Sequence, residues 1–345
     1  MEQIISGAAN WRGSDLAQST AWIDRISGDQ ARELTGAVDI LMSSGRLIGD
    51  AGIDEFPMPS FEGNLARAQD ALETGYGIHL LRGLPVEDMP SDALRMMFWG
   101  LGLHLGTAVS QSPKGDFLGD VCDLGSDIDS PTGRGYTSNA ELNFHTDTAD
   151  VSGLLFVQTA KTGGLSRFVS SLAIGNEIAR SRPDLSAVLH QPFAWSWQGQ
   201  EPPGEPPYYD QPVFGVAEGH FASRYIRHHI ENAHIYYGAP ALSAQQVEGL
   251  DLIDTLAGSP EFHLEMMLEP GDLVLVNNHV TYHARTQYRD HPEPDRKRHL
   301  LRLWLAVPNS RPLPDGWATL YKDRRPGAVR GGFPSHSGEK AYATV

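Results

Sequence analysis

Cysteine is nearly absent from this 345-residue chain: Cys122 stands alone. A single thiol excludes an intramolecular disulfide and suits a reducing compartment. Its apolar surroundings in Gly119-Asp-Val-Cys-Asp-Leu124 predict a buried, inert thiol. Long apolar runs are missing too. None approaches the roughly 18 residues needed to span a bilayer. Met1-Glu-Gln-Ile-Ile lacks the basic and then apolar pattern of a secretory leader. The expectation is a cytoplasmic protein with no membrane partner. Positive charge is also scarce. Lysine and arginine number 27 against 43 acidic residues, a formal charge of −16. That balance argues against general binding to nucleic acid or anionic membranes. It leaves room for a small-molecule substrate, even an anionic one, because a local arginine pair overrides the global field.

What is present suffices for a large core. Hydrophobic residues make up 40% of the chain, enough for one big domain or two small ones. No repeat at a solenoid period is visible. Ser60 is placed to cap a helix to about Glu73, with Leu65, Ala68 and Leu72 on one face. Gly75 and Gly77 break it, and Ile78–Leu81 reads as a short strand. Ser91 is a second expected N-cap, opening a helix across Leu94, Met97, Phe98 and Leu101, with Gly102 and Gly106 at its end.

From about residue 107 short β-rich runs alternate with Gly, Pro, Asp and Asn. Residues 153–157, 166–170, 263–268, 272–276 and 300–307 are such runs. Many short strands with turn signals suggest a sandwich or barrel with helices in its insertions. Ser243, with Gln246 three residues on, forms a capping box ahead of Val247, Leu250, Ile253 and Leu256. Gln200–Pro207 is too proline-rich for regular structure and is a candidate lid. The Arg/Gly/Pro/Ser-rich tail from about Arg324 is expected to be mobile at its end.

The sharpest local feature is Asn143-Phe-His-Thr-Asp147. On an extended strand, residues i and i+2 share a face, so His145 and Asp147 converge on one metal. Two histidines and a carboxylate leave three octahedral positions open, which suits non-haem Fe(II) chemistry; zinc is the competitor. Alone, His-x-Asp is weak. Its order relative to later features strengthens it. Pro270-Gly-Asp-Leu-Val-Leu-Val-Asn-Asn278 is a turn, an apolar strand and a polar exit, and His283 follows. Arg298 and Arg302 then lie on one side of a strand with Leu300 and Trp304. Inward-facing cations need anions, and arginine suits bidentate capture of carboxylates; internal salt bridges are the plainer reading.

These residues, in this order, with the Gly163-Gly-Leu-Ser166 turn, resemble the TauD/TfdA-like (clavaminate-synthase-like) Fe(II)/2-oxoglutarate dioxygenases from roughly Gly83 to Pro314. The resemblance implies an α+β fold, a double-stranded β-helix (jelly roll) with flanking and inserted helices. It implies one domain over 1–345: an N-terminal α/β cover about 1–106, a core about 107–314 with a helical insertion about 174–260, and a tail about 315–345. It implies His145, Asp147 and His283 as iron ligands, Arg298 and Ser166 as anchors of the 2-oxoglutarate distal carboxylate, and Arg302 as a contact for an anionic substrate group. The expected reaction consumes O2 and 2-oxoglutarate, releases succinate and CO2, and hydroxylates a small, anionic or amino-acid-like molecule. Related halogenases lack the carboxylate that Asp147 supplies, so halogenation is disfavoured. Leu165 replaces the family's usual acidic residue, and the 14 residues between His283 and Arg298 make a long loop. Arg296 fits the usual spacing better; the apolar strand and the offset to Arg302 favour Arg298.

Gln111, between an apolar helix and the metal motif, is a candidate substrate contact by the same analogy. Trp195 and Trp197 share a face and are expected in the core. His228, His229 and His234 lack ligand spacing and read as packing or surface residues. Asn277 and Asn278 are expected to satisfy backbone groups at a strand exit. Two other classes stay open: a jelly-roll metal-binding sensor without turnover, and an iron oxygenase not coupled to 2-oxoglutarate. A homo-oligomer is compatible with the sequence and not demanded by it.

Overall fold

Alternation along His299–Ala306 sets the architecture. Leu301, Leu303 and Leu305 pack into one apolar cluster, while Leu300 and Trp304 pack into others on the opposite face. A strand buried on both sides reads as a continuous apolar run, and here Arg302 interrupts it on the inner side. The structure is a computed structural model describing residues 4–126 and 135–343.

Among those residues, two sheets form the core. In chain order the strands are β1 (Ile23–Arg25), β2 (Ile78–Arg82), β3 (Thr107–Val109), β4 (Leu118–Val121), β5 (Leu142–His145), β6 (Val151–Gln158), β7 (Ser166–Ser170), β8 (His263–Met266), β9 (Asp272–Asn277), β10 (Thr281–Arg285) and β11 (His299–Ala306). The large sheet runs β1-β2-β9-β6-β11-β3, with β4 also paired to β11; the small sheet runs β8-β7-β10-β5. Pairing is antiparallel except between β1 and β2. Strand β2, from the N-terminal third, is thus an internal strand of the large sheet.

Helices Gly28–Ser43, Glu62–Glu73 and Ser91–Leu105 cover the outer face of the large sheet, burying Leu34, Leu72, Phe98 and Leu101 against Leu155, Leu273 and Leu303. Truncating a leucine such as Leu303 to alanine would cost about 2–5 kcal/mol. Helices Ser171–Ser181, Pro183–Leu189 and Ala244–Gly258 pack outside the small sheet, onto Val169 and Tyr282. Phe156, Phe168, Val274 and Leu300 fill the space between the sheets. Two largely antiparallel sheets closed face to face, with helices outside, make the α+β jelly roll that the resemblance implied.

Local expectations fared unevenly. Ser243 forms the capping box with Gln246, whose N–H donates to the Ser243 hydroxyl at 3.2 Å. Ser60 is not a cap. Pro59 starts a 3-10 turn through Phe61, so the chain is already helical at residue 60, and the Ser60 hydroxyl bonds Glu33 instead. Ser91 is the first helical residue, with Pro90 before it. Cys122 is half-buried rather than buried; burial and the neighbouring Asp120 still raise its pKa, so the thiol stays protonated. Trp195 and Trp197 are core residues.

The C-terminal segment packs onto the barrel. Arg330 is 3% exposed, Phe333 is buried, and the Tyr342 ring meets Trp99 edge-on at 5.0 Å. Gly331 and Gly332 have φ of 80° and 67°. A Cβ on either would fall 2.7 Å from the Thr148 carbonyl oxygen or 2.6 Å from that of Ser110. Glycine is therefore required where the tail crosses the barrel mouth.

Candidate active site

Strand β5 ends at His145, and Asp147 follows outside it. The same-face argument for one extended strand therefore reaches only His145. Asn278 aims Asp147 instead. Its Oδ1 accepts the Asp147 N–H at 2.9 Å, and its Nδ2 donates to the Ala149 carbonyl at 3.1 Å and the Ser152 hydroxyl at 3.0 Å. His283 sits on β10 in register with His145, so both imidazoles leave the same face, with ring centroids 4.2 Å apart. His283 Nε2 lies 3.8 Å from Asp147 Oδ2. One ligand atom from each of the three residues lies within 4.8 Å of the others.

Protonation states favour metal binding. Burial works to raise the Asp147 pKa, but Arg302, His283 and His145 outweigh it and hold it at about 2. Burial, reinforced by His145, pushes His283 down to about 3, and burial also lowers His145. At neutral pH the site presents one carboxylate and two neutral imidazoles, the forms that ligate. The His145 Nδ1 lies 2.9 Å from the Asn143 carbonyl, leaving Nε2 for a metal. A closed tetrahedral zinc site needs a fourth protein ligand; among the described residues this cluster has three. The donor set fits an octahedral Fe(II) with open positions.

A cavity of about 330 Å³ adjoins the triad, sharing His145 and Asp147 with it and also lined by Arg302. Arg302 Nη1 is 3.2 Å from Asp147 Oδ1, and its Nε donates to Gln111 Oε1 at 2.6 Å. Gln111 lines the cavity, but its amide is engaged: Nε2 donates to the carbonyls of Arg302, at 2.8 Å, and Phe117, at 3.3 Å. Arg298 immediately precedes β11 and is 4% exposed. Its backbone N–H donates to Asp290 Oδ1 at 2.9 Å, while its Nη1 is buried without a partner among the described residues. Burial, then the charge of Arg285, lowers the Arg298 pKa to about 10, so it remains a cation at neutral pH. An unpaired buried cation is costly unless an anion joins it, and a carboxylate from 2-oxoglutarate fits that demand. Arg296, by contrast, is exposed in a 3-10 turn beside Glu293.

Gly163 and Gly164 make a left-handed turn (φ 74° and 72°) that brings the backbone against Arg298; a Cβ on Gly164 would lie 3.4 Å from its Nε. Ser166 opens β7 directly after this turn and is buried. Leu165 preserves the turn through its N–H, which donates to Thr286 Oγ1 at 2.9 Å.

Residues 42–304 match the family model described as Taurine catabolism dioxygenase TauD, TfdA family. The chain belongs to the TauD/TfdA dioxygenase family. It is a 2-oxoglutarate-dependent non-haem iron dioxygenase. FR-33289 synthase of Streptomyces rubellomurinus is 32% identical over 326 residues, 92% of this chain and 95% of that protein. Among solved structures, asparagine oxygenase with Fe(II), 2S,3S-3-hydroxyasparagine and succinate is 18% identical with a TM-score of 0.63, covering 82% of this chain and 93% of its own. The non-haem iron oxygenase OrfP with Fe and alpha-ketoglutaric acid is 14% identical with a TM-score of 0.62, covering 82% and 93%. Both share the fold.

Seen in this family frame, sequence reasoning passed over several contributors. His228 and His229 line the cavity with Gln200, Tyr136, Trp304 and Phe333; their spacing gave no ligand signal. Ser152, whose hydroxyl donates to Asp147 Oδ2 at 2.5 Å, carries no motif. Phe333 lies beyond the end of the family match at residue 304. Asn277 and Asn278 do satisfy backbone groups at the strand exit, as expected; that Asn278 thereby positions Asp147 carried no sequence signal. No helix of the described residues is long and apolar enough to cross a membrane.

Proposed function

We propose that His145, Asp147 and His283 hold Fe(II), that Arg298 and Ser166 anchor the distal carboxylate of 2-oxoglutarate, and that the enzyme hydroxylates a small anionic or amino-acid-like substrate in the adjoining cavity. The observation that carries this is the pairing of two incomplete features in one barrel. Three ligand atoms converge beside a cavity, and Arg298, buried in the same barrel, has no ion pair and an unpartnered Nη1 among the described residues. Iron and 2-oxoglutarate together supply the oxidising power, spending O2 and the co-substrate carboxylate to oxidise a C–H bond.

The chain's residues supply position. Ser152 and Arg302 hold the two Asp147 oxygens and so fix the carboxylate plane. Gln111 braces Arg302 from behind. A metal on Asp147 satisfies that carboxylate and leaves the Arg302 charge in surplus, which supports an anionic group on the substrate. Arg302 also lies 4.8 Å from the Tyr136 ring and 5.1 Å from Trp304, so the cation sits in an aromatic collar suited to orienting that group. Asparagine oxygenase and OrfP, the latter also solved with (3S)-hydroxy-L-Arg, support amino-acid-like chemistry. FR-33289 synthase does not by its name fix a substrate.

An anaerobic titration of the apo-protein with Fe(II) and then 2-oxoglutarate tests the reading. The weak visible charge-transfer band of a chelated 2-oxo acid is expected in the parent and not in His145→Ala. Its absence with iron bound would overturn the co-substrate assignment. Succinate release with amino acids, phosphates and phosphonates then ranks substrate classes; a preference for neutral or cationic molecules would remove Arg302 as substrate anchor.

A further inference from the structure

Arg285 lies two residues beyond His283 on β10 and shares its inward face. It is in register with Ser166 of β7, and antiparallel partners project to the same side. The residue is 5% exposed. Its Nη2 donates to the Ala140 carbonyl, but Nε and Nη1 are buried without a hydrogen-bond partner among the described residues. Arg298 approaches from the other sheet, with its own Nη1 unpartnered. The Tyr288 ring spaces the two cations: its centroid is 4.6 Å from Arg285 Cζ and 5.0 Å from Arg298 Cζ. The Tyr288 hydroxyl is buried as well, and a side-chain hydrogen bond to it favours the Arg298 cation. Among the described residues, neither guanidinium has an ion pair.

Two buried cations sharing one ring destabilise each other; Asp123 and Asp290 offset part of this at Arg285 and Asp290 part of it at Arg298, and a carboxylate reaching both guanidiniums would offset more. We propose that Arg285 and Arg298, spaced by Tyr288, form a two-arginine clamp on the distal carboxylate of 2-oxoglutarate. Arg285 is then a co-substrate-binding residue. This rests on the assignment of Arg298 made above. A carboxylate offers about four acceptor sites, so it can take both guanidiniums and the Ser166 hydroxyl together. Selectivity follows from the same arrangement. A 2-oxo acid without the distal carboxylate would have to leave both cations unpaired.

The test compares two probes in anaerobic titrations of the Fe(II)-loaded protein, read by the charge-transfer band. One is 2-oxoglutarate; the other is 2-oxovalerate, of equal length without the distal carboxylate. Arg285→Met is expected to weaken 2-oxoglutarate about 10- to 100-fold, as for a lost charged hydrogen bond, with 2-oxovalerate unchanged. Arg285→Lys, which keeps the cation and is the fallback if Arg285→Met does not fold, should restore part of the ratio between the probes. A ratio as in the parent for both Arg285 variants, while Arg298→Met loses it, overturns the clamp and keeps the Arg298 assignment. Equal weakening of both probes assigns Arg285 a structural role through Ala140 and also overturns the clamp. An unchanged ratio in Arg298→Met refutes the assignment on which the clamp rests.

Discussion

Replacing Arg330 with methionine probes how the tail closes the barrel. Arg330 Nε is 2.8 Å from Asp150 Oδ1, and its Nη1 and Nη2 donate to the carbonyls of Arg325, at 3.1 Å, and Arg311, at 2.6 Å. Arg330 is 3% and Asp150 1% exposed. Removing one partner of a buried ion pair costs about 3–5 kcal/mol because the other charge stays buried. Asp150 keeps two donors, His279 Nε2 at 2.9 Å and the Val307 N–H at 3.3 Å, so the lower end applies, about 3 kcal/mol. For a chain this long that lowers Tm by about 4 °C. Calorimetry of Arg330→Met, Asp150→Asn and the double variant measures it. The double variant should regain at least about 1 kcal/mol of the summed losses, since neighbours in one network are not additive. A Tm within a degree of the parent for Arg330→Met, or strict additivity, would refute a buried clamp.

Asp147→Ala should abolish iron-dependent succinate release, measured with Fe(II) in excess, because two imidazoles alone leave the ion poorly held. Arg302→Met removes the cation that holds the Asp147 carboxyl at about 2; iron binding should survive while KM for an anionic substrate rises about 10-fold or more. Stability should fall as pH drops from about 6.5 toward 4. Burial holds His279 at about 4, against the pull of Asp150, from an ordinary value of 6.5, so in that window the unfolded chain binds a proton the native one rejects. At about 1.4 kcal/mol per unit the loss nears 3 kcal/mol, and denaturant melts of His279→Gln should show a shallower acid limb.

Features with a local cause were legible. The Ser243 box, the alternation on β11 and the two tryptophans each depend on neighbours within a few residues. The ordering of His145, Asp147, His283 and Arg298 was legible because the fold family carries that order as a motif. What stayed hidden depends on contacts distant in sequence. Arg330 looks like a surface residue until Asp150, 180 positions earlier, is placed beside it. Ser60 fits a cap by type, yet Pro59 had already begun the turn. His228 and His229 reach the cavity because the helix Arg227–Ile235 is folded back over the barrel mouth, and nothing in their spacing encodes that return. Arg285 was passed over because an arginine two residues after a histidine is unremarkable until both are seen on an inward face.

The crossing of Gly331 and Gly332 also sets a timetable for synthesis. Chains emerge N-terminus first, and the parts of the barrel interior lie along the chain in sequence: His145 and Asp147, then His283, then Arg298 and Arg302, and last Phe333. The Gly332 N–H donates to the Thr148 carbonyl at 2.6 Å, and the Phe333 N–H to that of Ser110 at 2.8 Å. A nascent chain that has released residue 283 already owns the three side chains proposed to hold iron, yet it lacks β11 and the wall around them. Closure of the mouth by Phe333 thus waits on chain made well after residue 283, and an insertion near Phe333 would disturb the cavity it lines before it disturbed the His145, Asp147 and His283 cluster.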